Sequence, residues 1–216
     1  KDRASVQRAF AGEFGKLLQQ RMAENTPHRL LGVWDNGFRH VTNRVRPIRT
    51  PADCQGLKIR CQVSEMHVEA LRAMGFDPVS VDVKEFVDGI AGPRFDGQEN
   101  PLTNTYNFGV HDFHRYHTLT GHLFGASVAI VNRAHYESWP ADLRAAVDAA
   151  AVEATRYQHT LAAAEDAEML EKYKQVANHE IIHLSEAERA PFIAAVQPVI
   201  DKYRRELGPQ LFAFLQ

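Results

Sequence analysis

The chain has 216 residues, which suits one large domain or two small lobes around a buried core. Hydrophobic residues make up 44% and charged residues 24%, both ordinary values for a globular protein. The formal net charge of -2 excludes a bulk electrostatic attraction to nucleic acid or to an anionic membrane. No apolar run approaches the roughly 20 residues that a helix needs to cross a bilayer.

Helical and strand patterns alternate along the first part of the chain. Apolar residues at helical spacing predict helices, short apolar runs predict strands, and Gly or Pro separates them. The predicted elements are a helix over 4–24, a strand over 28–34, a turn at Asn36-Gly37, a short helix opened by Thr50-Pro51, a strand over 57–61, a helix over 64–74, a strand over 78–81 and a helix over 82–90. This alternation indicates an α/β protein with mostly parallel sheets.

The second part of the chain contains its longest predicted element. A run over 126–131 predicts a buried strand, and the region from Pro140 to about Gln175 contains no Gly and no further Pro. A helix of that length would extend about 54 Å, so we expect it to cross between two lobes. Ser185-Glu186-Ala187-Glu188 is a capping box that opens a last helix, which Pro198 should kink.

Two short runs carry the residues that suggest a function. Gly56–Arg60 has the pattern of a strand that ends on an arginine, and Asp96–Pro101 has the pattern of a polar turn with a carboxylate and an amide. A helix, a strand and a further short helix are predicted between them, so a βαβ-like path would bring their ends together. Arginine suits a carboxylate because its planar fork donates two parallel hydrogen bonds and keeps its proton. The sequence therefore predicts a pocket for an organic anion rather than a catalytic centre.

The spacing of four histidines raises the question of a metal site. His111, His114 and His117 lie three residues apart, with His122 beyond them. On a helix the first three would spread over about 120° of the surface, which disfavours a shared metal ion. We therefore expect solvated or capping histidines and no metal.

The remaining patterns favour no other kind of site. The arginines over 39–49 lack interleaved aromatic residues, and the chain is slightly acidic, so no nucleic-acid partner is expected. Asp96 and Glu99 lie in one predicted turn, which disfavours their use as a glycosidase pair. Cys54 and Cys61 flank a predicted strand that extends the chain between them, which disfavours a disulfide. No pattern predicts a cofactor.

Several runs together resemble the substrate-binding proteins of tripartite ATP-independent periplasmic (TRAP) transporters, the DctP-type family. The runs that carry this resemblance, in family order, are Trp34–His40, Arg46–Asp53, Gly56–Arg60, Asp96–Leu102, Leu119–His122 and the helix start at Trp139-Pro140. The resemblance implies an α/β, two-lobed periplasmic-binding-protein-like fold with a long lobe-bridging helix and a ligand cleft between the lobes. It also implies a non-enzymatic periplasmic receptor that captures a small organic carboxylate and delivers it to TRAP membrane permease subunits. The alternative is an effector-sensing domain or an enzyme on a similar bilobed fold.

Four residues receive a substrate-binding role from the resemblance. Arg60 matches the family arginine that pairs with the ligand carboxylate, and Arg39 matches an arginine that lines the cleft. Asn100 matches an asparagine that contacts the ligand, and Glu99 is expected to pair with the arginines. Val83 stands where many members have an aromatic residue facing the ligand, which implies a wider pocket or one shaped for a different solute.

The resemblance also implies a domain division. Residues 1–37 and 126–160 are expected to form the remainder of lobe I. Residues 38–125 and 161–216 are expected to form lobe II, which includes the end of the long helix and the C-terminal helix.

An incomplete first lobe is a further implication. The chain opens on Lys1-Asp2-Arg3 without an apolar leader, and family members have about a hundred further residues, the size of a small domain, before this position. We therefore expect either a fragment or a lobe that a partner covers. An uncovered strand near Leu30–Trp34 would invite association, and the alanine-rich face over 140–175 leaves a homodimer open.

Overall fold

The computed structural model describes residues 2–214, in which helices and strands alternate and confirm the predicted α/β class. The helices are α1 Arg3–Ala11, α2 Glu13–Asn25, α3 Pro51–Cys54, α4 Glu65–Ala73, α5 Val83–Gly89, α6 Leu102–Asn107, α7 Arg133–Glu137, α8 Ala141–Lys174, α9 Glu186–Leu207 and α10 Pro209–Ala213, with a 3-10 turn at Val110–Asp112. The strands are β1 His28–Asn43, β2 Lys58–Cys61, β3 Asp77–Ser80, β4 Gly97–Pro101, β5 Tyr116–Asn132 and β6 Glu180–His183. No helix of this part of the chain has the length and apolar character needed to cross a membrane.

The chain divides into two compact units. The first contains the described residues up to Gly37, then Gly125–Glu165, and the described residues from Leu207 onward. The second contains Phe38–Phe124 and Asp166–Glu206. Strands β1 and β5 and helix α8 each contribute residues to both units. The assignment of the predicted ranges to lobes I and II stays a prediction.

The six strands form one sheet in the order β3-β2-β4-β1-β5-β6. Strand β2 is parallel to β3 on one side and to β4 on the other, where Arg60 is opposite Gln98. Strand β4 is antiparallel to β1, with Glu99 opposite Val41. The βαβ-like path is therefore confirmed, since β2 and β4 lie side by side with α4, β3 and α5 between them in sequence.

The run Asp96–Pro101 is not the turn that its Asp-Gly pair predicts. Gly97–Pro101 forms strand β4, and all five of its residues are buried. A Cβ on Gly97 would lie 2.3 Å from the Thr42 carbonyl oxygen and 2.6 Å from Cδ1 of Ile59. The glycine is thus needed because the neighbouring strands approach closely, not because the chain turns. Asp96, just before the strand, accepts a hydrogen bond from the backbone N–H of Lys58 at 2.8 Å.

Three other predictions were wrong in part. The helix over 4–24 is interrupted at Gly12, whose ψ of -148° is not helical. Asn36-Gly37 does not end a strand, because β1 continues through Gly37, whose φ of 88° is a conformation that glycine adopts readily. The run over 126–131 is strand, as predicted, but Val128 and Ile130 are 52% and 44% exposed rather than buried.

The ends of the two long helices agree with their sequence signals. Helix α8 has 34 residues and corresponds to the long helix predicted from Pro140. At the start of α9, the backbone N–H of Ser185 donates to Oε2 of Glu188 at 2.8 Å and the backbone N–H of Glu188 donates to Oγ of Ser185 at 3.3 Å, so the capping box is confirmed. Helix α9 continues through Pro198 to Leu207.

Two apolar clusters support the strands that carry the candidate site. The larger contains Val41, Ile48, Cys54, Leu57, Ile59, Cys61, Leu71, Met74, Phe76, Ile182, Leu184 and Phe192, and the smaller contains Val81, Phe86, Ile90, Phe95 and Val110. Both lie in the second unit. Cys54 and Cys61 are buried free thiols, and burial raises their pKa values to about 12 and about 11. The larger cluster holds β2 and α4 in place, and the smaller cluster holds α5.

Candidate functional site

The four predicted residues all lie buried in the second unit, on three adjacent strands. Arg39, Arg60, Glu99 and Asn100 are exposed by 3%, 3%, 1% and 4%. Strand β1 carries Arg39, β2 carries Arg60, and β4 between them carries Glu99 and Asn100. Charges this deeply buried must be paired or hydrogen-bonded, because desolvation otherwise costs too much free energy. Their partners therefore indicate what the site can do.

Arg39 is paired with Glu99 through Nε and Nη2, while no hydrogen bond of its Nη1 occurs among residues 2–214. Its Nε donates to Oε2 of Glu99, and its Nη2 donates to Oε1 of Glu99 at 2.8 Å. The same Nη2 also donates to the Glu99 carbonyl oxygen at 2.7 Å and to Oδ1 of Asn100 at 3.0 Å. This two-pronged ion pair fixes the guanidinium in one orientation. The predicted pairing of Glu99 with an arginine is therefore present at Arg39.

Both the oxygen and the nitrogen of the Asn100 side-chain amide form hydrogen bonds. Its oxygen accepts from Arg39, and its Nδ2 donates to Oε1 of Gln98 at 2.5 Å. Gln98 in turn donates to the hydroxyls of Thr42 at 2.9 Å and Thr105 at 3.2 Å. An amide still has one free N–H and one free lone pair after these bonds. Ligand contact by Asn100 is therefore compatible with the geometry and stays a prediction.

Arg60 is the site residue without an anionic partner. Its Nε and Nη2 donate to the Val81 carbonyl oxygen at 3.1 and 2.9 Å, and its guanidinium lies 5.2 Å from the centre of the Phe86 ring. No ion pair of Arg60 occurs among residues 2–214. Burial lowers its pKa, although an arginine keeps its charge in proteins. A buried cation held only by a carbonyl and a ring is suited to receiving an external anion.

Two histidines that sequence reasoning did not place in the site flank Glu99. His122, on β5, has its Nε2 3.4 Å from Oε2 of Glu99, and His67, on α4, has its Nδ1 3.8 Å from Oε1. Burial raises the pKa of Glu99, but hydrogen bonds from His122 and Arg39 and the charge of Arg39 outweigh it and lower the pKa to about 2. Glu99 is therefore ionised at neutral pH.

A sequence signal for both histidines exists in retrospect. His122 lies in a run that carries the family resemblance, although its place after three evenly spaced histidines also suggests a metal site. His67 lies seven residues after Arg60, in the first turn of the helix that follows strand β2. The first turn of a helix that follows a strand can lie close to the end of that strand. A histidine in that turn, such as His67, is therefore a candidate neighbour of the arginine at the strand end.

The charges of the site do not cancel. Arg39 and Arg60 contribute two positive charges and Glu99 contributes one negative charge. Burial has the largest effect on the pKa of His67 and lowers it; the charge of Glu99 comes next and raises it, and the charges of Arg39, His122 and Arg60 lower it again, so the net shift is downward and His67 is neutral at neutral pH. These four residues leave one uncompensated positive charge, at Arg60, which favours an anion with one carboxylate at that position.

Two of the histidines considered for a metal site lie in a buried cluster rather than in solvent. His114 and His117 are fully buried, so the expectation that they are solvated or capping was wrong. Nδ1 of His114 lies 3.0 Å from the Thr42 hydroxyl, and Nδ1 of His117 lies 3.4 Å from Nε2 of His179. The Tyr173 ring packs against both His117 and His179. Over the described range, no group of His, Cys, Asp and Glu could hold a metal ion.

Comparison with known proteins identifies related sequences and structures. The sequence model of the family described as bacterial extracellular solute-binding protein, family 7 (DctP), matches residues 1–206. The C4-dicarboxylate-binding periplasmic protein DctP of Rhodobacter capsulatus is 28% identical over 99% of this chain and 63% of its own length. The 2,3-diketo-L-gulonate-binding periplasmic protein YiaO of Escherichia coli K12 is 28% identical over 81% of this chain and 53% of its own length. The chain therefore spans less than two thirds of these two relatives.

A solved structure matches the fold closely. A TRAP periplasmic solute-binding protein from Shewanella oneidensis, with bound succinate, has a TM-score of 0.91 and 27% identity to this chain. The match covers 97% of this chain and 68% of that one.

Proposed function

Because the chain belongs to bacterial extracellular solute-binding protein family 7, we propose that it is part of a non-enzymatic receptor that binds a small organic carboxylate. The observation that carries this proposal is Arg60, a buried guanidinium held by the Val81 carbonyl without an anionic partner in the described chain. Relatives named as periplasmic binding proteins support a periplasmic location. TRAP membrane permease subunits are the proposed receiving partner, and a homodimer stays open.

The proposed roles follow from the hydrogen bonds of each side chain. Arg60 binds the ligand carboxylate, because its charge is not balanced by protein atoms. Glu99 holds Arg39 and offsets the repulsion between the two guanidinium groups. Arg39 and Asn100 then form a fixed polar wall, whose remaining N–H groups and lone pairs orient the ligand. As part of this proposal, residues 1–37 and 126–160 belong to lobe I of the family fold and residues 38–125 and 161–216 to lobe II.

A test of this function compares acids with their uncharged amides. Succinate, D-glucuronate and 2-hydroxybutanoate are screened by thermal unfolding and then by calorimetry, each beside the corresponding amide. We expect at least one acid to raise the unfolding temperature, since a ligand at 100 times its Kd stabilises the folded state by about 2.7 kcal/mol. The corresponding amide should give no shift, because it lacks the charge that Arg60 requires. Binding of the amide as tightly as the acid, or binding of no acid, contradicts the proposal.

A further inference from the structure

His67 is a buried polar side chain whose hydrogen-bonding capacity is not used. It is 6% exposed and lies in the first turn of α4, and its Nδ1 is buried without a hydrogen-bond partner among the described residues. Oε1 of Glu99, at 3.8 Å, is too distant for a hydrogen bond. Buried polar atoms without a partner are rare in folded proteins and cost free energy, so this one requires an explanation.

The surroundings of His67 are the candidate site itself. The charges of Glu99, Arg39, His122 and Arg60 all act on its pKa, which burial lowers most. Glu99 and Arg39 satisfy each other, and Arg60 is reserved for an anion. His67 is thus an unpaired neutral group beside an unbalanced positive one.

The Arg60 guanidinium and the neutral His67 imidazole together are complementary to a particular class of acid. A second carboxylate near His67 would be left without a full counter-charge, because the charge of Arg39 there is already balanced by Glu99. A neutral imidazole can instead donate to or accept from a hydroxyl group, and it can donate to an oxo group. The complementary ligand is therefore a monocarboxylate that also carries a hydroxyl or oxo oxygen, and a small acid can place that oxygen on the carbon next to the carboxylate.

We propose that His67 contacts the ligand and selects 2-hydroxy and 2-oxo monocarboxylates over acids that lack this oxygen. The inference rests on the proposed function, in which Arg60 binds the carboxylate. A site of this kind rejects the analogue without the oxygen, because the buried ring nitrogen is then left unpaired. His67 acts here as a specificity-determining residue, since the carboxylate contact belongs to Arg60.

The test uses acid pairs that differ only in the 2-hydroxyl group. The pairs are 2-hydroxybutanoate with butanoate, D-gluconate with 2-deoxy-D-gluconate, and malate with succinate, each titrated by calorimetry into the wild type and into His67→Ala. In the monocarboxylate pair that binds, we expect the wild type to prefer the hydroxy acid by at least about tenfold, and His67→Ala to reduce this preference to about twofold or less. The affinity of the deoxy acid should change by less than about threefold, because it never used the histidine.

Two further variants separate a ligand contact from a general effect on the fold. His67→Asn keeps a hydrogen-bonding side chain and should retain part of the preference, which also covers the case in which His67→Ala does not fold. His111 also has a buried Nδ1 without a partner and stacks on Tyr106 at 4.5 Å, so His111→Ala is the matched control and should keep the full preference.

Each outcome is decisive. A wild type that binds both members of every pair equally, or a preference that persists in His67→Ala, overturns the role of His67 and leaves the receptor function intact. Preferential binding of succinate or malate over all the monocarboxylates also overturns it. A folded wild type that binds none of the six acids overturns the proposed function and, with it, this inference.

Discussion

At the scale of single residues, the Arg39–Glu99 pair shows how the strands keep two guanidinium groups near each other. Both members are almost completely buried, and Glu99 accepts hydrogen bonds from Nε and from Nη2 of Arg39. A buried ion pair adds little net stability compared with a well-packed apolar pair, but removing one partner leaves an uncompensated charge. The pair therefore serves to fix geometry, and it directs the negative charge of Glu99 to Arg39 while Arg60 stays available.

Substitution of Arg39 tests this description. We expect Arg39→Met to lower the free energy of unfolding by about 3–5 kcal/mol in urea at pH 7, because it leaves the Glu99 carboxylate buried and unpaired. The double variant Arg39→Met/Glu99→Leu should lose clearly less, because it removes both charges. Lys16→Ala, which breaks an exposed pair with Glu13, is the control and should cost at most about 1 kcal/mol. A double variant less stable than Arg39→Met would contradict the description.

The residue types and family positions of the four predicted site residues carry the signal in the sequence, and their substrate-binding role stays a prediction. Arg39, Arg60, Glu99 and Asn100 do converge on adjacent strands of the second unit. His67 was missed because a histidine among the apolar positions of a helix has the pattern of a core residue. The hydrogen bonds of Gln98 were missed as well, since they depend on a cross-strand register that no local pattern specifies.

At the scale of elements, β4 lies between two other strands, and its first residue has no room for a side chain. The backbone oxygen of Thr42 on β1 and the side chain of Ile59 on β2 both approach Gly97. Local chemistry predicts a turn at Asp96-Gly97, but pairing on both edges makes the segment a strand. Tertiary pairing outweighed turn propensity here, and a single sequence does not show which of the two will prevail.

Gly97→Ala tests the close approach of the strands. A Cβ would meet backbone and side-chain atoms at less than 3 Å, so we expect the unfolding free energy to fall by about 1–3 kcal/mol. Gly92→Ala is the matched control, because the nearest atom there is the Gly89 carbonyl oxygen at 3.4 Å. Urea denaturation at pH 7 measures both variants. Equal stability of the two variants would show that β4 can move away from its neighbours.

At the scale of the whole molecule, the second unit buries several histidines that must stay neutral. Burial lowers the pKa of His40 and of His114 to about 3, and it also lowers the pKa of the fully buried His117 well below its usual value. In the unfolded chain all three titrate near 6.5. The unfolded state therefore binds more protons than the folded state below this pH, so acid favours unfolding.

The pH dependence of stability follows with a defined sign. We expect the unfolding free energy to be constant between about pH 7 and pH 8 and to fall below pH 6.5, by about 1.4 kcal/mol per pH unit for each buried histidine. Below about pH 4.5 Glu99 adds to the loss of stability. Its carboxylate then binds a proton in the unfolded chain, whereas in the folded state its pKa is lowered to about 2 and it stays ionised. Urea denaturation followed by circular dichroism from pH 8 to 5 measures the slope.

Two variants assign that slope to the buried histidines. His40→Asn should reduce the slope between pH 6.5 and 5, whereas the exposed His135, substituted by Asn, should leave it unchanged. A flat profile of the wild type over this range would contradict the account of the buried cluster.

The measurement that tests the central claim most directly is a calorimetric titration of Arg60→Ala with the acid that the wild type binds most tightly. We expect the affinity to fall at least about tenfold, equivalent to about 1.4 kcal/mol, because the ligand carboxylate loses a guanidinium that has no anionic partner among residues 2–214. Arg94→Ala, which removes an exposed arginine paired with Glu85, should keep the wild-type affinity. A folded Arg60→Ala variant that binds the acid as tightly as the wild type would contradict the account.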